Sequence, residues 1–265
     1  MINNEHYFVL LAYKESEYLE ECIKSLVNQS VKSNIVIATS TPNKYISNLA
    51  KKYKLDIIEN KDKKGIANDF NFALNSVDSE LVTIAHQDDL YEKDYLKNVL
   101  DNYKKYPKTT IFFTKYYEVR NGKKVYKNNN LIIKNTLLLP LKLKLFSGFK
   151  FFKRSALRFG NAICCPSITF CKKNISITDV FTSSFTSNMD WLAWERLSKL
   201  KGNFIYISKP LMGHRVHEES TTTKIINDGE RTNEDYEMFK MFWPKFIAKA
   251  LTKFYKNSEK SNKIK

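Results

Sequence analysis

The stretch Leu81–Tyr91, LVTIAHQDDLY, decides how this chain is read. Leu81 to Ala85 is a short apolar run with β-branched members, the pattern of a buried strand bounded by polar residues. It passes without a break into His86-Gln87-Asp88-Asp89. Two adjacent carboxylates at the end of a buried strand repel each other and favour a cation. Oxygen ligands of this kind suit hard ions such as Mg²⁺ or Mn²⁺. A metal-held diphosphate would satisfy them, with the metal stabilising charge that grows on a departing phosphate. The alternative is that Asp88 and Asp89 cap a helix starting near Glu92, since Asp is a favoured N-cap. Spacing alone leaves both open.

Working outward, the first hundred residues repeat one rhythm. Tyr7–Tyr13 (YFVLLAY) and Asn34–Thr39 (NIVIAT) read as buried strands, and a third runs from Leu55 to Glu59. Between them Tyr18, Leu19, Cys22, Ile23, Leu26 and Val27 fall at helical spacing, with Ser16 as N-cap. Further helices are expected near Tyr45–Tyr53 and over Ile66–Asn75, the latter after a loop holding Lys63, Lys64 and Gly65. Alternating strands and helices imply right-handed βαβ units and a parallel sheet covered on both faces. Ligands of such sheets sit outside the carboxyl ends of the strands. That rule gathers Ala12 to Glu15, Thr39 to Asn43 and His86 to Asp89 around one crevice.

After Pro107 the rhythm changes. Thr110–Val119 and Lys123–Tyr126 flank Asn121-Gly122, a hairpin signature. Leu137–Leu157 reads as helix in two pieces around Pro140 and Ser147-Gly148, and Ala162–Phe170 as a strand with a proline bend. Trp191, Leu192, Trp194, Leu197 and Leu200 mark an amphipathic helix, with a strand over Phe204–Ile207. Asp235–Tyr255 is a basic, aromatic amphipathic tail kinked at Pro244. Its stripe either packs on the rest of the chain or lies on an anionic membrane.

Composition bounds the rest. A chain of 265 residues, 43 % hydrophobic, buries a core without staples. Its cysteines, Cys22, Cys164, Cys165 and Cys171, match neither a zinc spacing nor a disulfide framework. No signal peptide is readable, and the apolar run near Leu137–Phe146 is broken by Pro140, Lys142 and Lys144, well short of the roughly 20 residues a bilayer needs. A reducing cytoplasm is the expected compartment. The net charge of +16 admits compositional drift, an anionic membrane surface or nucleic acid as explanations. No nucleic-acid module is present, and no nucleic-acid partner is expected.

Five motifs in order give the chain a resemblance. IAHQDDLY looks like the DxD region of family 2 glycosyltransferases of bacterial type. AYKESEYLEECIKSLVNQS resembles that family's opening element, and GIANDFN its G-x-A-x-A-R-N element. NMDWLAWERL resembles the E-D-x-x-L-W-x-R-L helix, and HRVHEEST the late R-x-H-x-x-S element. Together they span about Tyr7 to Thr223.

The resemblance implies an α/β GT-A fold, a Rossmann-like, mostly parallel sheet flanked by helices with a helical C-terminal tail. It implies a GT-A domain over 1–227, with a nucleotide-sugar half (1–105) and an acceptor half (106–227), and a tail over 228–265. The implied reaction is metal-dependent, inverting hexosyl transfer from a nucleotide sugar, a UDP-sugar foremost, to a saccharide or lipid-linked acceptor. Surface polysaccharide synthesis at the inner face of the cell membrane is the implied setting.

Residue by residue, Asp88 matches the metal-binding Asp of the DxD, with Asp89 beside it and His217 as a third ligand or diphosphate contact. Asp190 matches the catalytic base, its flanks Met189 and Trp191 giving a desolvated setting; a helix cap is its other reading. Ala12, Tyr13, Glu15, Ser40, Gly65, Asn71, His86, Gln87 and Arg215 match the donor side. Arg215 offers a planar fork to phosphate, or an ion pair to Glu218 or Glu219. Cys164 and Cys165 would be buried small hydrophobes or line a sugar pocket.

Several positions depart from the family pattern. His86 stands where the first Asp belongs, Lys14 replaces an Asn, Ser40-Thr41 fill the loop that carries an Asp to the base, and Met189 replaces a Glu. These departures keep open a GT-A-like protein that binds nucleotide sugar without turnover. From a different class, a basic nucleic-acid-binding protein would show steep salt-dependent binding.

Overall fold

In the computed structural model, which describes residues 3–61, 65–217 and 230–260, the apolar runs of the first hundred residues are neighbouring parallel strands. β1 (Asn3–Leu11) lies between β2 (Ser33–Thr39) and β4 (Leu81–His86), with β3 (Asp56–Glu59) beyond β2. The crossovers are helices α1 (Leu19–Val27), α2 (Lys44–Tyr53) and α3 (Ile66–Asn75). β1 is apolar from Tyr7 to Leu11, where both its faces are covered. Phe8 and Leu10 enter one core with α1, α2 and α4 (Tyr95–Lys105), while Val9 enters the other with α3. The expected Ser16 cap is displaced: α1 starts at Leu19, and the Ser16 carbonyl instead accepts the Leu19 amide and the Tyr45 hydroxyl.

The second half extends the same sheet. β8 (Ile168–Cys171) joins β4 antiparallel, then come β6 (Thr109–Arg120), β9 (Asn203–Val216) parallel to β6, and the two-residue β5 (Leu90–Tyr91). β7 (Lys123–Val125) returns along β6 across Asn121 and Gly122, whose φ of 49° and 74° the two-residue hairpin demands.

Three expectations change here. The strand expected over Ala162–Phe170 shortens to β8 behind a 3₁₀ turn at Cys165–Ser167, because Pro166 has no N–H for the ladder. The two helical pieces expected over Leu137–Leu157 become α5 (Asn129–Leu137), single 3₁₀ turns at Leu139–Leu141 and Lys144–Phe146, and α6 (Lys150–Ser155). Between Pro140 and Ser147 the sequence alternates leucine and lysine, which supplies no helical period. α7 (Met189–Ser198) is not amphipathic but buried nearly all round, with Trp191 and Trp194 sealed and Glu195 held by Arg154 and Lys199.

The tail splits at Pro244 into α8 (Glu230–Lys240) and α9 (Lys245–Lys260). Met238, Phe239 and Ala248 join the core that holds α7, and Trp243 Nε1 donates to the Arg158 carbonyl at 2.8 Å. The Met238, Phe239 and Ala248 side of its apolar stripe is therefore packed on the body of the protein, while Phe246 and Phe254 stay exposed. Among the described residues no helix is long and apolar enough to cross a membrane.

Candidate active site

The carboxyl ends of β1, β2, β3 and β4 open onto one edge, and short polar bonds tie their loops together. The Tyr13 amide donates to Gln87 Oε1 at 2.9 Å, and Gln87 Nε2 returns a bond to the Tyr13 carbonyl at 3.1 Å. Lys14, held at φ 55°, gives its amide to Thr41 Oγ1 at 2.7 Å. Asp69, on the first turn of α3, accepts from Ser40 Oγ (3.0 Å) and Asn60 Nδ2 (2.7 Å). Tyr13 stays 53 % exposed at the rim, with Glu15 exposed beside it.

The His86–Asp89 turn closes with the Asp89 amide on the His86 carbonyl at 3.1 Å, and α4 starts only at Tyr95, with Asp94 in its cap position. Asp88 and Asp89 therefore cap nothing. Asp89 is 1 % exposed. Its Oδ1 accepts the Arg215 backbone amide at 2.9 Å and lies 3.1 Å from His214 Nδ1. Its Oδ2 is buried without a hydrogen-bond partner, as is His86 Nε2. Orphaned buried polar atoms are rare and costly.

His86, Asp88 and Asp89 each offer a ligand atom, all within 4.8 Å of one another. A divalent cation would satisfy the stranded oxygen, so the donor set fits Mg²⁺ or Mn²⁺. His217 stands next to this group, its Nε2 3.0 Å from Asp88 Oδ2. Burial works to raise the Asp88 carboxyl, yet the His217 bond and the charge of His214 hold it below its ordinary range. Burial pushes His86 down, which keeps its imidazole neutral, the form that lends a ring nitrogen to a metal.

Arg215 is spent differently from expectation. Its Nε donates to the Asp88 carbonyl at 2.9 Å, Nη2 pairs with Glu21 at 2.5 Å, and the guanidinium lies 4.3 Å over the Tyr18 ring. It clamps the acidic turn to α1 instead of presenting a free fork. Glu218 and Glu219, the alternative partners, lie outside the described residues, as do Lys63 and Lys64.

Asp190 sits in the first turn of α7. Its Oδ2 accepts from Asn161 Nδ2 and its Oδ1 from the Trp191 amide, both at 2.7 Å. Asp190 is the second residue of the helix, so its bond to the next amide is not a cap. Asn188, in the cap position, gives its side chain to Asp235 at 2.7 Å and caps nothing. Burial outweighs the accepted bonds and raises the Asp190 carboxyl above its ordinary value. The charges of Asp190 and Asp89 both act on Cys165 and on His86, so the base candidate and the acidic turn have neighbours in common. Both thiols are pushed up by burial and stay protonated.

Three donor-side candidates are placed by backbone geometry. Asn71 puts both ends of its amide on the backbone of Phe181, at 2.7 and 3.0 Å, and so struts α3 against that segment. Gly65 precedes α3 at φ 116°, a conformation that favours glycine. Ala12 is buried, its amide on the Ala38 carbonyl at 2.9 Å.

Other site residues were invisible in sequence. His214, next to Arg215, reaches Asp89; Asn161 orients Asp190; Asp69 ties Ser40 and Asn60 to α3. Lys134 on α5 lies 5.4 Å from the Tyr116 ring, which meets His214 edge-on at 6.2 Å. Its charge acts on both Asp190 and His214. One lysine among so many carries no local signal.

Comparisons with known proteins agree with this geometry. The sequence model described as Glycosyl transferase family 2 matches residues 7–177. Among solved structures, S. aureus TarS 1–349 in complex with UDP-GlcNAc is similar, with a TM-score of 0.65 and 14 % identity, over 94 % of this chain and 70 % of that one. Mannosyltransferase PcManGT from Pyrobaculum calidifontis, in complex with GDP-Man and Mn2+, is similar with a TM-score of 0.66 and 14 % identity, over 94 % and 69 %. Identity that low establishes the fold, which is GT-A. Comparison with curated proteins gives no match. The family match covers well over half of the chain, including every loop that builds the acidic turn except the end of β9. The chain belongs to glycosyl transferase family 2 and is a glycosyltransferase.

Proposed function

We propose that the chain moves a hexosyl unit from a nucleoside diphosphate sugar, a UDP-sugar foremost, to a hydroxyl of a saccharide or lipid-linked acceptor, with inversion. The setting would be surface polysaccharide assembly on the cytoplasmic side of the cell membrane. One observation carries the reading: His86, Asp88 and Asp89 bring three ligand atoms within 4.8 Å of one another around a buried carboxylate oxygen with no hydrogen-bond partner, and the buried carboxyl of Asp190, raised by desolvation, acts on the same His86. The similar structures were solved with UDP-GlcNAc and with GDP-Man and Mn2+, which supports the donor class.

His86, Asp88 and Asp89 would hold Mg²⁺ or Mn²⁺, which when bound supplies positive charge to a leaving diphosphate. The half over 1–105 frames the donor: Tyr13, Glu15 and Ser40 border the nucleoside, while the Gln87–Tyr13 pair and the Asp69 bonds fix their loops before it arrives. The half over 106–227 serves the acceptor. Asp190 takes the proton of the acceptor hydroxyl as that oxygen attacks the anomeric carbon. The bond from that carbon to the diphosphate oxygen breaks, and the nucleoside diphosphate leaves with the electron pair. Asn161 fixes Asp190 in one orientation, and the raised carboxyl is a stronger proton acceptor than a solvated one.

The test is thermal-shift screening against nucleotide sugars with and without Mn²⁺, followed by donor-consumption assays. A UDP-sugar with Mn²⁺ should raise the Tm of the intact chain and of Asp190→Asn but not of Asp88→Ala, and only the intact chain should turn over. Binding with no turnover in any of the three would favour the non-catalytic reading. The proposal fails outright if no nucleotide shifts the Tm.

A further inference from the structure

The positive charge of the chain is unevenly placed. Residues 119–178 and 238–256 hold 18 Lys and Arg and no Asp or Glu, against a net charge of +16 for the whole chain. Everything outside those segments is slightly acidic. Drift toward lysine-rich codons would scatter charge along the entire chain and does not produce this division.

The same segments expose large apolar side chains. Between α5 and α6 and on the first turn of α6, Leu143, Leu145, Phe149 and Phe151 are 59–80 % exposed, and on α9 Phe246 and Phe254 are 75 % and 73 % exposed. One surface joins them. Phe146 stacks on Phe152 at 4.5 Å, and Arg154 lies 4.6 Å over Phe242 while donating to the Met241 carbonyl at 2.7 Å. Along α9 the exposed Lys245, Phe246, Lys249, Lys253 and Phe254 recur at helical spacing on one side, and Ala248 and Thr252 are buried on the other.

Where α6 meets the corner between α8 and α9 lies a cavity of about 170 Å³, lined by Phe151, Arg154, Ser155, Arg158, Phe242 and Trp243. Arg154 is engaged by Glu195. Arg158 stacks 5.0 Å from Phe159 and 5.4 Å from Trp243, its Nε is buried without a hydrogen-bond partner, and among the described residues no carboxylate pairs with it. A stranded guanidinium donor favours an acceptor oxygen, and phosphate suits its planar fork.

We propose that this face docks on an anionic lipid bilayer. The exposed leucines and phenylalanines enter the boundary of the acyl region, the α9 lysines lie over the headgroups, and the Arg158 cavity takes a lipid phosphate. Cationic charge and apolar side chains interleaved on one face match that surface on both counts. A second copy of the chain would set positive charge against positive charge. Asp190 lies directly behind this face, since Trp191 Nε1 donates to the Leu157 carbonyl and Asn161 binds the carboxylate. Delivery of a lipid-carried acceptor from this side rests on the glycosyl-transfer reading; the lipid contact does not.

The experiment is co-sedimentation of the full chain with vesicles of phosphatidylcholine alone and of phosphatidylcholine mixed with phosphatidylglycerol, at low and high salt. The mixed vesicles should bind, less at high salt, and the neutral ones should bind at least tenfold more weakly. Leu145→Ser/Phe149→Ser/Phe151→Ser and, separately, Lys245→Gln/Lys249→Gln/Lys253→Gln should each reduce binding by roughly tenfold or more. These positions are exposed and outside the candidate site, so each variant should keep the parent Tm and its response to UDP and Mn²⁺. Loss of that response in the intact chain would strike the glycosyl-transfer reading alone. An intact chain that stays in the supernatant with mixed vesicles overturns the lipid proposal, as does binding that survives both triple substitutions. So does a dimer that the apolar substitutions dissociate, or RNA that binds the face more tightly than the mixed vesicles do.

Discussion

Replacing Asp89 separates two tasks that its two oxygens perform. Oδ1 anchors the end of β9 through the Arg215 amide and meets His214, whereas Oδ2 is left for the cation. Asp89→Ala strands the Arg215 amide, at a cost of about 1–3 kcal/mol for a buried donor. The His214 side chain, 32 % exposed, is replaced by water at about 0.5–1 kcal/mol. The total, roughly 2–4 kcal/mol, lowers the Tm of a chain this size by roughly 5–15 °C. Asp89→Asn keeps an acceptor at the Oδ1 position in nearly the same volume, so it should cost less than about 1 kcal/mol. An amide nitrogen in place of Oδ2, however, cannot ligate a metal. Scanning fluorimetry of all three proteins with and without Mn²⁺ reads both effects. Both variants should lose the Mn²⁺-dependent rise in Tm, and only Asp89→Ala should lose intrinsic stability. An Asp89→Asn protein that melts as early as Asp89→Ala, or that keeps its Mn²⁺ response, would refute the division of labour.

Other expectations follow from the same geometry. Asp190→Asn should cut transfer by about 10²–10⁴. Because burial raises the Asp190 pKa in the folded state, its contribution to stability is full in acid and falls as pH rises, so Asp190→Asn should melt no earlier than the parent at pH 8. The acid limb of the pH–rate profile should lie above the ordinary carboxylate range. Lys134→Met removes a charge that holds Asp190 down, so it should move that limb to higher pH, with Lys134→Arg restoring it; an unmoved limb contradicts the assignment. His6 is wholly buried, its ring 2.7 Å from Ser33 Oγ and 2.9 Å from Thr83 Oγ1, and burial pushes its pKa from 6.5 to about 3. Its contribution is present above pH 6.5 and disappears as pH falls toward 3, at up to about 1.4 kcal/mol per pH unit. Urea midpoints measured across that window should fall with pH, and less steeply in His6→Gln.

The parts legible in sequence were those governed by local rules. The four parallel strands, α3, the Asn121-Gly122 hairpin and the acidic turn all follow from periodicity and turn chemistry within a dozen residues. The strand expected over Phe204–Ile207 stops short of Lys209-Pro210. The strand runs on, since the ladder to β6 shifts register around Lys115 and accommodates the proline. That extension carries His214 and Arg215 to Asp89, more than a hundred residues away, and no single-sequence pattern contains that distance. Asn161, Asp69 and Lys134 were hidden for the same reason: polar residues of common type acquire a role only from their neighbours in space. Asn71 shows the reverse, a motif match whose side chain is used up by backbone.

The pairing of β6 with β9 has a mechanical consequence. Parallel hydrogen bonds run from Thr109 beside Asn203 to Arg120 beside Val216, with β8 stitching the same β6 to β4. A ladder of that length has no place to act as a hinge without parting bonds in several strands at once. The two halves of the chain are thus parts of one sheet joined through β4, β8 and β6, and on the proposed reading they would not close on substrate like jaws. Whatever gating a catalytic cycle needs must come from rim loops, and cross-links placed across the sheet should leave turnover intact.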